Sequence, residues 1–198
     1  HGMRPDDPSI VHANILELLC PDVPVVLGGI EASLRRLTHY DYWEDKLKKC
    51  ILCESGADII LYGMGEKNTL QLCRELENGR SIKDVKDIPQ TVYLAKKEDI
   101  PGGITDTDIV LHSHEECLRN KKAQAENFRH IEEESNKMHA QRLIQGVDHQ
   151  FAVVNPPYPP MTTEELDAAF DLPYTRMPHP KYKGKTIPAY EMIKFSVN

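Results

Sequence analysis

The chain has 198 residues, 40% of them hydrophobic and 28% charged, with a formal net charge of −7. That composition supports a folded core, and the acidic balance excludes a general nucleic-acid or anionic-membrane partner, because no surplus of Lys and Arg is available to neutralise phosphates. No apolar run approaches the roughly 20 residues of a membrane span, and no charged-then-apolar leader opens the chain, so the sequence reads as a cytoplasmic protein.

His1-Gly2-Met3 reads either as a tag remnant before an initiator Met or as native sequence. Asp7-Pro8 is a helix start, with Asp as N-cap and Pro at the first helical position, and Pro21 stops the apolar helix that follows. Val23 to Leu27 is a short apolar run ending in Gly28-Gly29, which predicts a buried strand and a tight turn. A helix is expected from Glu31 towards Leu37. The spacing of Trp43, Leu47 and Ile51 predicts another over 43–52. Asp58 to Tyr62 reads as a second buried strand, ending in Gly63-Met64-Gly65-Glu66. A helix carrying Leu70, Leu72, Cys73 and Leu76 then stops at Asn78-Gly79. Ser81 to Asp87 is a connector and Thr91 to Leu94 a third strand. Residues 96–109 are polar and read as a loop. Residues 114–145 are charged, with a stripe from Leu118 to Leu143, and predict one long amphipathic helix, continuous or broken, ending near Gly146. Phe151 to Val154 reads as a strand, and Asn155-Pro156-Pro157 with its neighbours as extended chain. Thr162 to Glu165 is a capping box opening a helix to about Phe170. Pro173 to Pro188 is a basic linker, and Ala189 to Asn198 is strand-like.

Alternating buried strands and helices at this spacing imply an α/β fold. The expected form is a Rossmann-like three-layer parallel sheet with right-handed crossovers, plus a long helix and an extended C-terminal linker and strand. Three strands make a small sheet, and further strand–helix units preceding the chain would complete it.

The chemistry-bearing candidates sit at the strand ends. Gly28, Gly29 and Glu31 follow the first strand; Gly63, Gly65 and Glu66 follow the second. Both sets lie on the carboxyl edge of the sheet, the ligand edge of open α/β folds, where glycines admit close approach and a helix start favours an anion. Turn-making alone explains the same glycines, and the Gly-x-Gly-x-x-Gly dinucleotide spacing is absent. His39-Tyr40-Asp41-Tyr42-Trp43 is an aromatic run that suits stacking or proton handling, and equally suits packing against the sheet or another domain. His112, His114 and Cys117, and the trio Glu126, His130 and Glu134, imitate metal sets without completing one. The cysteines are Cys20, Cys50, Cys53, Cys73 and Cys117. An odd number reads as reduced thiols, and Cys50 and Cys53 read as buried small residues.

The block Val25 to Arg36 with His39 to Trp43 closely resembles the YgiQ-type radical SAM (iron–sulfur, S-adenosylmethionine) family. So do Ala57-Asp58 through Glu66, Arg4-Pro5-Asp6, Asn155-Pro156-Pro157, and the tail from Leu172 to Asn198. The resemblance covers roughly residues 4–94 and 147–198. It implies that a segment like 189–198 leads within a few residues into Cys-x3-Cys-x2-Cys. There three thiolates hold a 4Fe-4S cluster whose open iron takes S-adenosylmethionine. Here Lys46 stands where Cys50 and Cys53 would need the first cysteine of that motif, so no cofactor site is complete within the chain. The resemblance further implies a cobalamin-binding-like α/β domain over 1–95, a loop and helix over 96–146, and over 147–198 a linker and lead-in strand to a radical SAM core. The Asp-x-His-x-x-Gly signature of one cobalamin-binding class is absent, which counts against cobalamin. The expected function is an accessory region of a radical SAM enzyme, not catalytic by itself, whose partner is the downstream domain of the same polypeptide. The alternatives are a small-molecule module for a corrinoid or nucleotide, and a protein-docking platform. The substrate is not specified by any of these residues.

Overall fold

The computed structural model describes residues 7–196, so Arg4-Pro5-Asp6 and the last two residues of the expected lead-in strand lie outside the described residues. The chain divides into two compact units, His1–Pro160 and Met161–Asn198.

In the first unit, α1 (Pro8–Leu19) leads to β1 (Val26–Gly28) and α2 (Gly29–Leu34). A small hairpin of β2 (His39–Asp41) and β3 (Lys46–Lys48) precedes α3 (Ile51–Ser55), β4 (Ile59–Leu61) and α4 (Glu66–Glu77). Then come β5 (Thr91–Ala95), β6 (Ile109–Leu111), α5 (His114–Arg119), α6 (Lys121–Ser135), β7 (Leu143–Val147) and β8 (Gln150–Val154). One six-stranded sheet runs in the order β1-β4-β5-β8-β7-β6. It takes strands from residues 26 to 154, so residues 96–154 supply β6, β7 and β8 beside β1, β4 and β5.

The fold is α/β and consistent with a Rossmann-like arrangement. The expectation of a wholly parallel sheet needs correction: β1/β4 and β6/β7 are parallel, whereas β4/β5, β5/β8 and β7/β8 are antiparallel. The reversal at β5 has its cause in residues 80–90. Val85 and Ile88, with 1% and 0% exposure, pack with Leu72 against Ile59 and Leu61. The connector is therefore an apolar strap across the sheet face, and it delivers Thr91 opposite Leu61 rather than at the other end of the strand.

Residue alternation along the strands sends side chains to two faces. Ile60, Val92, Ala152 and Val154 join Ala13 of α1, Ala32 of α2, and Ile51 and Leu52 of α3 on one face. Ile59 and Leu61 meet Leu72 of α4 on the other, and Tyr93, Ile144 and Val153 meet Ile100. Each fully buried aliphatic side chain contributes roughly 1.5–3 kcal/mol.

Three local expectations are corrected. The helix expected over 43–52 is the β2/β3 hairpin followed by the short α3. The Asp41 carboxylate accepts the N–H groups of Trp43 (2.9 Å) and Glu44 (3.1 Å), and Asp45 is left-handed at φ 52°, so turn chemistry overrides helical spacing. The long helix over 114–145 breaks at Asn120, whose side chain accepts from Lys122 N, and ends at Ser135. The apolar residues after it, Leu143 and Ile144, belong to β7. Asp7 precedes α1 without a side-chain cap bond, in a left-handed conformation; its carboxylate is taken by Arg35 and Lys48.

In the second unit, α7 (Thr163–Phe170) carries the expected capping box between Thr162 and Glu165. The strand-like stretch from Ala189 is instead α8 (Pro188–Ile193), which Pro188 opens at its first turn, where proline's fixed φ suits a helix.

Candidate functional site

Parallel pairing of Val26 with Ile59, Leu27 with Ile60 and Gly28 with Leu61 ends β1 and β4 at one level. Both glycine turns therefore emerge side by side at the carboxyl edge. Gly29 is left-handed at φ +81° and Gly63 at φ +68°, conformations that favour glycine. Ser33 joins the turns: its hydroxyl donates to Gly29 O (2.7 Å) and accepts from Gly63 N (3.1 Å). Gly28, Gly29 and Gly63 are exposed, as is Glu66, which opens α4 beside its N-cap Gly65. Glu31 is drawn elsewhere. It accepts from the Ser9 hydroxyl and lies 3.3 Å from the Arg35 guanidinium.

Gln90 holds the second turn, and sequence reasoning passed over it. Only 8% exposed, it is left-handed at φ 60°. Its amide donates to Tyr62 O (2.8 Å) and to Met64 O, and its side-chain oxygen accepts from Tyr158 N (3.3 Å). Its backbone N–H donates to Pro156 O (2.7 Å), and its carbonyl accepts from Tyr62 N (3.2 Å) and the Asn68 amide (2.8 Å). The turn at 63–65 is thereby tied to the Asn155-Pro156-Pro157 stretch. A polar residue between Pro89 and a strand carries no signal of this role.

Asn155, 6% exposed, donates to Lys86 O (3.0 Å), Ile88 O (2.9 Å) and Thr91 Oγ1 (3.0 Å). The Tyr62 hydroxyl donates to Asn155 O at 2.6 Å, and the Arg36 guanidinium sits 5.0 Å over the Tyr62 ring. Burial holds the Tyr62 hydroxyl well above the ordinary tyrosine pKa.

The aromatic run divides by position. Tyr42 and Trp43, 66% and 80% exposed, stand on the hairpin with ring centroids 4.6 Å apart. Asp41 is buried, 3.5 Å from both Arg35 and Lys48. Hydrogen bonding to Lys48 and then Arg35 lowers the Asp7 pKa. His39 contacts Leu37 O (3.1 Å), and burial lowers its pKa. Asp41 and His39 thus hold the hairpin in place, and Tyr42 and Trp43 face outward.

The metal-like sets do not converge. His112 pairs with Glu126 (2.8 Å) and Glu116 (2.9 Å), which raise its pKa, while His114 lies 3.1 Å from Thr38 Oγ1. Asn127 donates to Cys117 Sγ at 3.2 Å. Among the described residues no three His, Cys, Asp or Glu side chains are arranged to hold a metal ion. The cysteines do not fit a three-thiolate cluster site. Cys50 is buried in the core with Cys53 against it, Cys117 is buried in α5, and Cys20 and Cys73 are exposed on α1's end and α4. The Cys53 contact and burial push the Cys50 thiol pKa up.

Residues 1–196 match the family model described as Radical SAM N-terminal. A UPF0313 protein of Bacteroides thetaiotaomicron is 59% identical over 99% of this chain and 33% of its own length. One from Porphyromonas gingivalis is 56% identical over 99% of the chain and 31% of its length, and one from Geobacter sulfurreducens is 41% identical over 100% and 32%. The chain spans about a third of the length of the curated relatives it matches. No solved structure matches. Among the described residues no helix is long and apolar enough to cross a membrane.

Proposed function

Because the chain belongs to the Radical SAM N-terminal family, we propose that it is the accessory α/β region of a longer radical SAM iron–sulfur enzyme and carries no catalytic step itself. The observation that carries this reading is a family match over residues 1–196 in a chain spanning about a third of its relatives. The 4Fe-4S cluster and S-adenosylmethionine belong, on this reading, to polypeptide that follows, because the thiols here are dispersed or buried in the core. This region's work is to present a fixed sheet edge to that downstream part. Purified and reconstituted anaerobically with iron and sulfide, the 198-residue chain should show no iron–sulfur absorbance. The polypeptide continued past Asn198 should show it. A cluster on the shorter chain overturns the division of labour.

The adjacent glycine turns favour a second reading, a corrinoid or nucleotide held at the carboxyl edge. Calorimetric titration of the folded chain with cobalamin and with adenine nucleotides decides it: heat saturating at one site per chain supports the reading, and its absence removes these ligands. The exposed Tyr42 and Trp43 favour a docking role for the hairpin, in which Trp43→Ala weakens association with a partner that co-purifies with the intact protein.

A further inference from the structure

We propose that the free edge of β1 receives one further β-strand of the same longer polypeptide, parallel to β1 and supplied by sequence upstream of α1. The inference rests on the longer polypeptide of the preceding reading, not on its chemistry. Among the described residues β1 ends the strand order and pairs with β4 alone. One side of its backbone therefore presents N–H and C=O groups outside any ladder, an edge that soluble proteins cover or blunt. Val26-Leu27-Gly28 carries no blunting charge or proline. The elements on either side of it in the chain leave large apolar side chains in the open: Leu18 (81% exposed) and Leu19 (70%) from α1, Ile30 (80%) and Leu34 (71%) from α2. Apolar surface of this kind marks a binding face.

Handedness selects the occupant. β1 and β4 are parallel, and the connection between them passes through α3, whose Ile51 and Leu52 pack on the face of Ile60 and Val92. Parallel crossovers are right-handed almost without exception. Successive crossovers stepping in one direction across a sheet therefore place their helices on one face. A strand that precedes α1 and pairs with β1 finds β1's other side already filled by β4, so it takes the free edge, and its step into β1 continues the direction from β1 to β4. That geometry requires α1 to lie on α3's face. Ala13 of α1 does pack there, in the same cluster as Ile51 and Leu52. Had α1 packed beside Leu72 on the opposite face, a strand at this edge would have needed a left-handed crossover. α1 is thus the helical half of a strand–helix–strand unit whose first strand lies upstream. The relatives carry polypeptide beyond the part this chain matches, since the chain spans 33% and 31% of them, and the proposal assigns some of it to the upstream side.

Hydrogen exchange on the full-length protein tests this. The amides of β1 should exchange as slowly as those of the central strand β5, and deleting all sequence before His1 should speed β1 at least about tenfold while leaving β5 unchanged. Fast exchange at β1 in the full-length protein overturns the proposal, as does protection that survives the deletion or varies with protein concentration, the sign of a second copy on the edge. Should the deletion release β5 as well, a photo-crosslinking residue at position 30 of the full-length protein identifies the occupant. A crosslink to upstream sequence supports the proposal; one to downstream sequence or to another copy overturns it.

Discussion

Replacing Gln90 tests whether the glycine edge is held by side chains or only by its backbone. In Gln90→Ala three contacts go: those to Tyr62 O (2.8 Å), to Met64 O, and from Tyr158 N (3.3 Å). A part-buried hydrogen bond contributes about 1 kcal/mol net. The Tyr158 contact is long, and Met64 is 61% exposed, so water can replace part of the loss there. The sum is about 2 kcal/mol. Gln90→Gly loses the same contacts but relieves the left-handed backbone at φ 60°. It should therefore lie about 0.5–1 kcal/mol closer to the parent than the alanine variant, after the extra freedom of glycine in the unfolded chain is counted. Urea unfolding followed by far-ultraviolet circular dichroism measures both. Amide exchange at 62–66 should accelerate in each. An alanine variant within about 0.5 kcal/mol of the parent, the range of an ordinary surface change, would refute the reasoning. So would a glycine variant less stable than the alanine one.

Asp7→Asn should cost about 1–2 kcal/mol at neutral pH, because it weakens the partner set of Lys48, whose side chain is 7% exposed. Lys48 and Arg35 depress the Asp7 pKa, so its contribution is complete above the ordinary value of 3.8 and is lost as pH falls through the folded value. The variant should accordingly show a shallower acid limb in a pH series of unfolding curves. His112 behaves in the opposite sense: Glu126 and Glu116 raise its pKa, so its contribution is present below 6.5 and lost as pH rises through the folded value. A proton NMR titration should place His112 above 6.5, and Glu126→Gln should bring it back down. Thr162→Ala removes the cap on Glu165 N, and amide exchange in the first turn of α7 should quicken several-fold, as expected for loss of about 1 kcal/mol.

The parts of the fold legible in the sequence are those where one local signal decides the structure. The Val23 to Leu27 run before two glycines, Ile59-Ile60-Leu61 before Gly63, and the Thr162 to Glu165 box each point to one element, and β1, β4 and α7 stand there. β1 is not the buried strand expected, however: it is an edge strand, with Val23 and Val26 exposed. Residues 43–52 were misleading because apolar spacing suited a helix while Asp41 and Asp45 supplied a turn. β7 was hidden for a related reason. Leu143 extends the stripe of the preceding helix, and β7 turns into β8 through Asp148-His149, with Asp148 left-handed at φ 52°, rather than through the Asn-Gly or Asp-Gly pair that announces a hairpin. At the edge, the glycines were legible and their clamps were not. Gln90 acts on residues 26 and 28 positions away and on Tyr158, a long-range relation that no spacing rule encodes.

The two glycine turns are equal in sequence and unequal in space. At Gly63 an added Cβ would lie 3.2 Å from the Gln90 amide, so the room that glycine leaves there is already filled by the protein. At Gly29 an added Cβ would meet nothing within 4 Å, and the backbone lies open at φ +81°. Gln90, Ser33 and the bond from Tyr62 to Asn155 order the edge during folding, so a binding partner would not bear that ordering cost. On the small-molecule reading, the open point of backbone approach at this edge is Gly29 rather than Gly63. Gly29→Ala strains that backbone without touching a neighbour, so it perturbs the first turn alone: on the small-molecule reading binding falls while the Gly63 turn stays intact, and undiminished binding removes Gly29 from the site.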